Sequence, residues 1–208
     1  MFIVWDWNGT LLDDNHASLS ALNTILSRRS LPTVDLDYYR RNFAFPVANF
    51  YEQLGVKIKD EDWDALAQEY HDAYHESHLR LAADARAALE LAVASGVPQA
   101  VVSAMREDYL ISDMDKFGIR DFFHSVLGTD NLDGCSKLSR MKEFASQVGK
   151  RKFVVIGDSL HDWEVAEEIG GRCVFYGGGS HDPSRLRHLG PVAASLCEAV
   201  RLAIFDRG

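Results

Sequence analysis

The sequence predicts an α/β fold, a parallel sheet flanked by helices, with a helical segment inserted after the first strand. Three observations carry this. Four short apolar runs each stop at a polar or glycine cluster: Phe2-Ile3-Val4-Trp5 before Asp6, Ala100-Val101-Val102 before Ser103, Phe153-Val154-Val155-Ile156 before Gly157-Asp158, and Cys173-Val174-Phe175-Tyr176 before Gly177-Gly178-Gly179. Such runs, rich in β-branched and aromatic residues and bounded by turn formers, read as buried strands. Helical patterns separate the later runs, at Asp108 to Phe117, Ser139 to Val148 and Asp162 to Ile169. That alternation is the mark of a parallel sheet. Third, the stretch from Asp14 to Arg80 contains no strand pattern, only helical periodicity.

In chain order, the first strand is followed by the turn-forming Asn8-Gly9. Leu19, Leu22, Ile25 and Leu26 then repeat at helical spacing. Arg40 to Val47, with Asn42 and Pro46, breaks the helices. A further helix carries Trp63, Leu66, Ala67, Tyr70, Tyr74 and Leu81, with Asp60 as its expected N-cap. Residues 14–80 are therefore expected to form the helical insertion, and residues 1–13 plus 81–208 the sheet-bearing core. Gly96-Val97-Pro98 turns the chain into the second strand. Of the Trp5/Trp7 pair, one is expected in the core and one near the mouth of a cleft. In parallel sheets ligands bind beyond the carboxyl ends of the strands, which is where each run meets its polar residues.

Composition narrows the function. Of 208 residues, 47% are hydrophobic and 25% charged, an ordinary globular balance that excludes disorder and collagen-like structure. Lys and Arg number 22 against 31 Asp and Glu, a formal net charge of −9. General nucleic-acid and anionic-membrane binders concentrate Lys and Arg, so neither is an expected partner. No apolar run approaches the roughly 18 residues of a membrane span, and acidic residues follow the N-terminus too early for a signal peptide. Cys135, Cys173 and Cys197 are scattered and match neither a disulfide framework nor a zinc pattern. A cytoplasmic protein, monomeric or homodimeric, is the expectation.

Four polar positions fall at strand ends or just before a strand-leading helix: Asp6 with Asn8-Gly9-Thr10, Ser103, Lys137, and Asp158 with Asp162. Asp6 and Asp158 on neighbouring strand ends would repel unless a cation lay between them. Oxygen ligands with few carboxylates suit Mg²⁺, which also binds substrate phosphate. A hydroxyl and an ammonium nearby complete what phosphoryl transfer asks for, and a carboxylate can serve as the nucleophile.

The segments Asp6-Trp7-Asn8-Gly9-Thr10-Leu11, Ser103 after an apolar strand, Lys137, and Gly157-Asp158-Ser159-Leu160-His161-Asp162 resemble, in order and spacing, the four motifs of the haloacid dehalogenase superfamily. The resemblance covers essentially the whole chain. It implies a Rossmann-like core, and the helical insertion is similar to the cap of the subgroup that includes phosphoglycolate phosphatases. By position it implies Asp6 as nucleophile and metal ligand, the Asn8 backbone carbonyl as a further ligand, and Asp158 as a Mg²⁺ ligand with Asp162 in support. Ser103 would bind the transferring phosphoryl group and Lys137 would balance its charge. Gly9, Thr10, Ala104 and Arg41 fall at substrate-contacting positions, with Gly9 allowing a tight turn and Thr10 positioning the loop. Leu11-Leu12-Asp13-Asp14 matches the short flap leading into the cap. Lys142 competes with Lys137 for the lysine role, but lies within its helix and is expected to face solvent.

Asn8 departs from the family pattern, in which a second aspartate acts as acid to the leaving group and base to the water. An amide cannot do this, and general acid–base catalysis is typically worth about 10²–10⁴-fold. The implied activity is a Mg²⁺-dependent phosphatase for a small phosphorylated metabolite. The departure leaves open a preference for acyl phosphates or phosphoanhydrides, a proton carrier from the cap, slow turnover, or a weakened phosphate-binding or regulatory protein. It also makes Asn8→Asp the natural gain-of-activity variant. His71, His75 and His78 share one side of a cap helix and could present imidazoles, although a solvated flank is the preferred reading. Arg40, Arg41 and Asn42 sit where a substrate-selecting loop would lie. His161 falls inside the metal motif or simply starts the next helix, Gly177 to His181 reads by default as a flexible turn that could line the cleft, and the Asn8-Gly9-Thr10 sequon is accidental without secretion.

Overall fold

The computed structural model describes residues 1–129, 137–149 and 151–205; Cys135 lies outside them. Phe2–Trp5 forms strand β1 and Leu12–Asp13 the short β2. Four helices follow: α1 (Asn15–Arg28), α2 (Leu36–Asn42), α3 (Val47–Gln53) and α4 (Trp63–His75). The chain returns through β3 (Arg80–Leu81), α5 (Ala85–Ala94), β4 (Gln99–Arg106), α6 (Glu107–Phe117), β5 (Ser125–Thr129) and α7 (Lys137–Val148). It finishes with β6 (Phe153–Gly157), α8 (Leu160–Glu168), β7 (Arg172–Tyr176), β8 (Val192–Ala193) and α9 (Leu196–Phe205).

Six strands pair in parallel in the order β5-β4-β1-β6-β7-β8. Side chains alternate across the sheet, as the two-residue strand period requires. Ile3, Trp5, Val101, Val154, Ile156 and Val174 face α5, α6 and α9. Phe2, Val4, Ala100, Val102, Val155 and Phe175 face α7 and α8. Both faces are covered, which explains why the strands read as continuous apolar runs rather than alternating ones.

β1 lies between β4 and β6, with Trp5 opposite both Val101 and Ile156. That register brings the polar residues following three strands to one edge. The β4 pairing with β5 shifts between Val102 and Arg106, so Ser103 sits inside the strand at an irregularity, not beyond its end as expected.

The helices α1 to α4 bury their own cluster, including Leu22, Ile25, Leu26, Tyr39, Phe50, Tyr51, Val56 and Leu66. Arg29 ties it together, bridging Glu61 at 2.7 Å and Glu69 at 3.1 Å. The N-cap of α4 is Asp62, whose carboxylate accepts from the Asp64 and Ala65 amides. Asp60 instead closes a preceding 3₁₀ turn, which corrects the expected cap. Arg80 also proves to be in a strand: β2 and β3 pair antiparallel, Leu12 opposite Leu81 and Asp13 opposite Arg80. Trp5 and Trp7, of which one is expected near the cleft mouth, are both fully buried, and Trp7 packs against Phe117. Among the described residues no helix is long and apolar enough to cross a membrane.

Candidate active site

The carboxyl edge of β1, β4 and β6 carries a buried polar cluster. Asp6 follows β1, its amide donating to the Ile156 carbonyl of β6 at 2.9 Å. Lys137, the first residue of α7, is 4% exposed, and its Nζ lies 2.5 Å from both Asp6 Oδ1 and Asp162 Oδ1. Asp6 Oδ2 accepts no hydrogen bond among the described residues. Lys142, by contrast, is exposed and pairs with Glu168 at 2.7 Å.

Asp162 is spent on local structure as well as on Lys137. Its Oδ2 accepts from the Asp158 amide and from both the amide and hydroxyl of Ser159, forming the capping box of α8. This box starts the helix at Leu160, two residues before the expected boundary. Asp158 is held from two sides. Thr10 Oγ1 donates to its Oδ1 at 3.1 Å, and the Ser180 amide and hydroxyl donate to Oδ2 at 2.5 and 2.6 Å. The loop after β7, which reads by default as a flexible turn and alternatively as a lining of the cleft, thus grips this carboxylate. Gly9, at φ +74°, and Gly179 make that grip possible, because a Cβ at either position would overlap the Asp158 side chain.

Ser103 is buried; its hydroxyl accepts from the Met105 amide at 3.0 Å and donates to Asn8 Oδ1 at 3.5 Å. Ala104 is half-buried and its carbonyl accepts from Thr129 Oγ1. Arg41 is not brought to the cluster. It is exposed and pairs with Asp37 on its own helix. Its neighbour Arg40 points to the core instead, donating to the Gly177 carbonyl at 2.6 Å, while Arg185 donates back to the Arg40 and Phe43 carbonyls.

Two residues at the site were not anticipated by function. Asp14 and Tyr74 both reach Asn8, whose Nδ2 donates to Asp14 Oδ2 at 2.8 Å and to the Tyr74 hydroxyl at 3.1 Å. Tyr74 belongs to the apolar stripe of α4, and nothing in its spacing distinguishes it from a core residue.

Among the described residues the histidine stripe forms no ion pair with Asp6, Asp158 or Asp162, and no histidine joins their cluster. His71 stacks on His75, His75 meets Tyr109 edge-on, and the Arg106 guanidinium lies over the Tyr109 ring at 4.0 Å. His78 lies beyond the end of α4. His161 pairs with Glu164.

Electrostatics favour a cation in this cluster. Oxygens of Asp6, Asp158 and Asp162 lie within 4.8 Å of one another, all buried. Burial raises the Asp6 carboxyl well above its ordinary value; Lys137 opposes, and Asp162 and Asp158 add to the rise. Burial and the Asp162 charge push Asp158 up to about 6. Burial works against an ionised Asp162, but the Lys137 ammonium prevails and holds it below its ordinary value. Burial likewise disfavours the Lys137 charge, and Asp162 with Asp6 more than restores it. Three carboxylates against one ammonium leave unbalanced negative charge, and an all-oxygen donor set suits a hard divalent cation.

One further group gives a pH prediction. His181 is buried, and its Nδ1 accepts the Leu160 amide at 3.1 Å, which needs a neutral ring nitrogen. Burial, with Arg185 adding like charge, pushes the imidazole down to about 4. The unfolded chain takes up this proton near pH 6.5, so the stabilisation is complete above that pH and is lost as pH falls toward 4. Its size is about 3 kcal/mol. The melting temperature is expected to fall on acidification over this window, and less so in His181→Asn, whose Oδ1 can still accept the amide. Identical slopes in the two proteins would refute the assignment.

Comparison with known proteins gives the family and the fold. A family profile described as haloacid dehalogenase-like hydrolase matches residues 3–176. The chain is 24% identical over 203 residues to the protein named "Probable phosphatase IndB" of Dickeya dadantii, covering 91% of this chain and 86% of that one. It is 27% identical over 184 residues to a phosphoglycolate phosphatase of Pseudomonas putida, covering 83% and 67%. In structure it is similar to a haloacid dehalogenase-like family hydrolase from Streptococcus pneumoniae, with a TM-score of 0.79, 18% identity and 95% of each chain covered.

Proposed function

The chain belongs to the haloacid dehalogenase-like hydrolase family, and from that premise we propose that it is a phosphatase that hydrolyses a small phosphomonoester through an aspartyl-phosphate on Asp6. The observation that carries this reading is the pair of short contacts from Lys137 to Asp6 Oδ1 and Asp162 Oδ1, which leaves Asp6 Oδ2 without a hydrogen bond among the described residues. An oxygen so freed, on a carboxylate so anchored, is oriented for attack.

Asp6 Oδ2 forms a bond to phosphorus as the ester oxygen departs with its electron pair. Water then attacks phosphorus, the acyl phosphate bond breaks, and phosphate leaves with Asp6 regenerated. Lys137 and the Ser103 hydroxyl lie where the phosphoryl oxygens would gather. Asp6 and Asp158, with the Asn8 backbone carbonyl and Asp162 in support, would hold Mg²⁺, which when bound neutralises phosphoryl charge. Residues 14–80 serve as the cap, closing over the site to exclude bulk water and to choose the substrate.

The amide at Asn8 favours substrates whose leaving group needs no proton, such as acyl phosphates or phosphoanhydrides. Phosphoglycolate, the substrate in the name of the Pseudomonas relative, is the first phosphomonoester to try. A Mg²⁺-supplemented panel of phosphomonoesters, acyl phosphates and anhydrides tests the proposal. Turnover on at least one class, lost on chelation and restored by Mg²⁺, is expected. An inert protein across the whole panel would favour a phosphate-binding or regulatory role.

A further inference from the structure

Asp14 stands at the N-cap position of α1, where an aspartate ordinarily accepts from the first amides of its own helix. It makes no such bond. Its buried carboxylate turns back instead and accepts from the Gly9 amide at 2.7 Å, Asn8 Nδ2 at 2.8 Å, the Tyr74 hydroxyl at 2.8 Å and the Ser18 hydroxyl at 3.5 Å. Asn8 in turn offers its Oδ1 to Ser103. A single chain of hydrogen bonds therefore runs from α4 of the insertion, through Tyr74, Asp14 and Asn8, to Ser103 on β4.

We propose that Asp14 and Tyr74 are positioning residues that fix the Asn8 amide, so that residue 8 must supply an N–H and the docking of α4 sets the arrangement of the catalytic loop. The positioning role rests on the phosphatase reading above. The donor count carries the argument. Tyr74 has one hydroxyl proton, and it goes to Asp14. Only the Asn8 amide donates to both of them. Aspartate at position 8 would remove two donated hydrogen bonds and set a second acceptor against the first. Asparagine at position 14 alone would set its amide nitrogen against either the Gly9 N–H or the Asn8 donor unless Asn8 turned over, which would reverse the amide that faces Ser103 and Tyr74. Exchanging both restores the pattern: the new amide at position 14 accepts from Gly9 through its oxygen, and its nitrogen donates to the new carboxylate at position 8. Asn8→Asp on its own is thus expected to lose activity, reversing the gain that the sequence led one to expect.

The test is a double-mutant cycle of wild type, Asn8→Asp, Asp14→Asn and the double variant, read in melting temperature and in kcat and KM well below every melting point. Each single change should lower kcat about tenfold and the melting temperature by several degrees, with the double variant recovering most of both. Tyr74→Phe, which removes only the hydroxyl, should lower kcat about threefold or more while leaving the ring packing in place. Additive effects, or an Asn8→Asp protein at least as active as wild type, would overturn the proposal. Coupling in melting temperature with kcat unmoved would reduce the pair to a structural contact and overturn the positioning role. A wild type inert on the whole panel would overturn the phosphatase reading and the positioning role with it, while the melting cycle still decides the contact by itself.

Discussion

Asp6→Asn is expected to abolish turnover, lowering kcat by roughly 10⁴-fold or more, because on the proposed mechanism it removes the covalent nucleophile and forfeits the whole two-step route. The fold survives the change. The asparagine oxygen still accepts from Lys137, and one charge leaves a cluster in which Asp158 and Asp162 press against Asp6. The variant should therefore melt at or above the wild-type temperature in metal-free buffer. Activity lost together with stability kept or gained is the signature of a site strained for chemistry. Steady-state assays and thermal melts on the same preparations measure both. Substantial residual turnover would remove Asp6 as the attacking group.

Lys137→Met carries the second large effect, and here activity and stability fall together. The ammonium is buried between two carboxylates that form no other ion pair among the described residues. Removing one member of a buried ionic group leaves uncompensated charge, at a cost of about 3–5 kcal/mol. On the proposed mechanism the attacking oxygen would also lose its orientation and the phosphoryl oxygens a counter-charge, for which a fall in kcat of about 10²–10³-fold is expected. Lys142→Met is the matched control. That side chain is half exposed, and its pair with Glu168 is of the surface kind that contributes about 0–1 kcal/mol. Near-equal melting temperatures for the two variants would contradict the assignment of the buried ammonium.

Much of this site was legible because parallel strands covered on both faces announce themselves as apolar runs, and each run stopped where the chemistry begins. Asp6, Ser103 and Asp158 follow from that rule, since β4, β1 and β6 are neighbours in register. Edge elements were less legible. β5 mixes Ser125, Gly128 and Thr129 with two aliphatics, and β8 has only two residues, so neither makes a run. Helix starts shifted where capping decided them, at Asp62 and Ser159. The link among Tyr74, Asp14 and Asn8 was invisible for another reason. Tyr74 meets the other two across 60 and 66 residues of sequence, and a tyrosine on an apolar stripe looks like packing until its hydroxyl is located. Arg40 and Arg41 show the same limit: adjacent positions on one helix, one gripping the core and one facing solvent.

The pairing of Leu12 and Asp13 with Leu81 and Arg80 has a consequence for how such a chain can change over time. The insertion departs from the core and re-enters it at the same place, so its two ends are already joined by a ladder whose Leu12 and Leu81 pack with the core rather than with the cluster of α1 to α4. Loop closure is settled locally, and adding or deleting residues between these ends costs little, since each doubling of length adds only about 0.6 kcal/mol. The six-stranded sheet need not shift to accommodate a different set of helices. Lineages could therefore exchange this segment wholesale, as a lens is changed on a fixed camera body, acquiring new preferences while Asp6, Lys137 and Asp158 stay where they are.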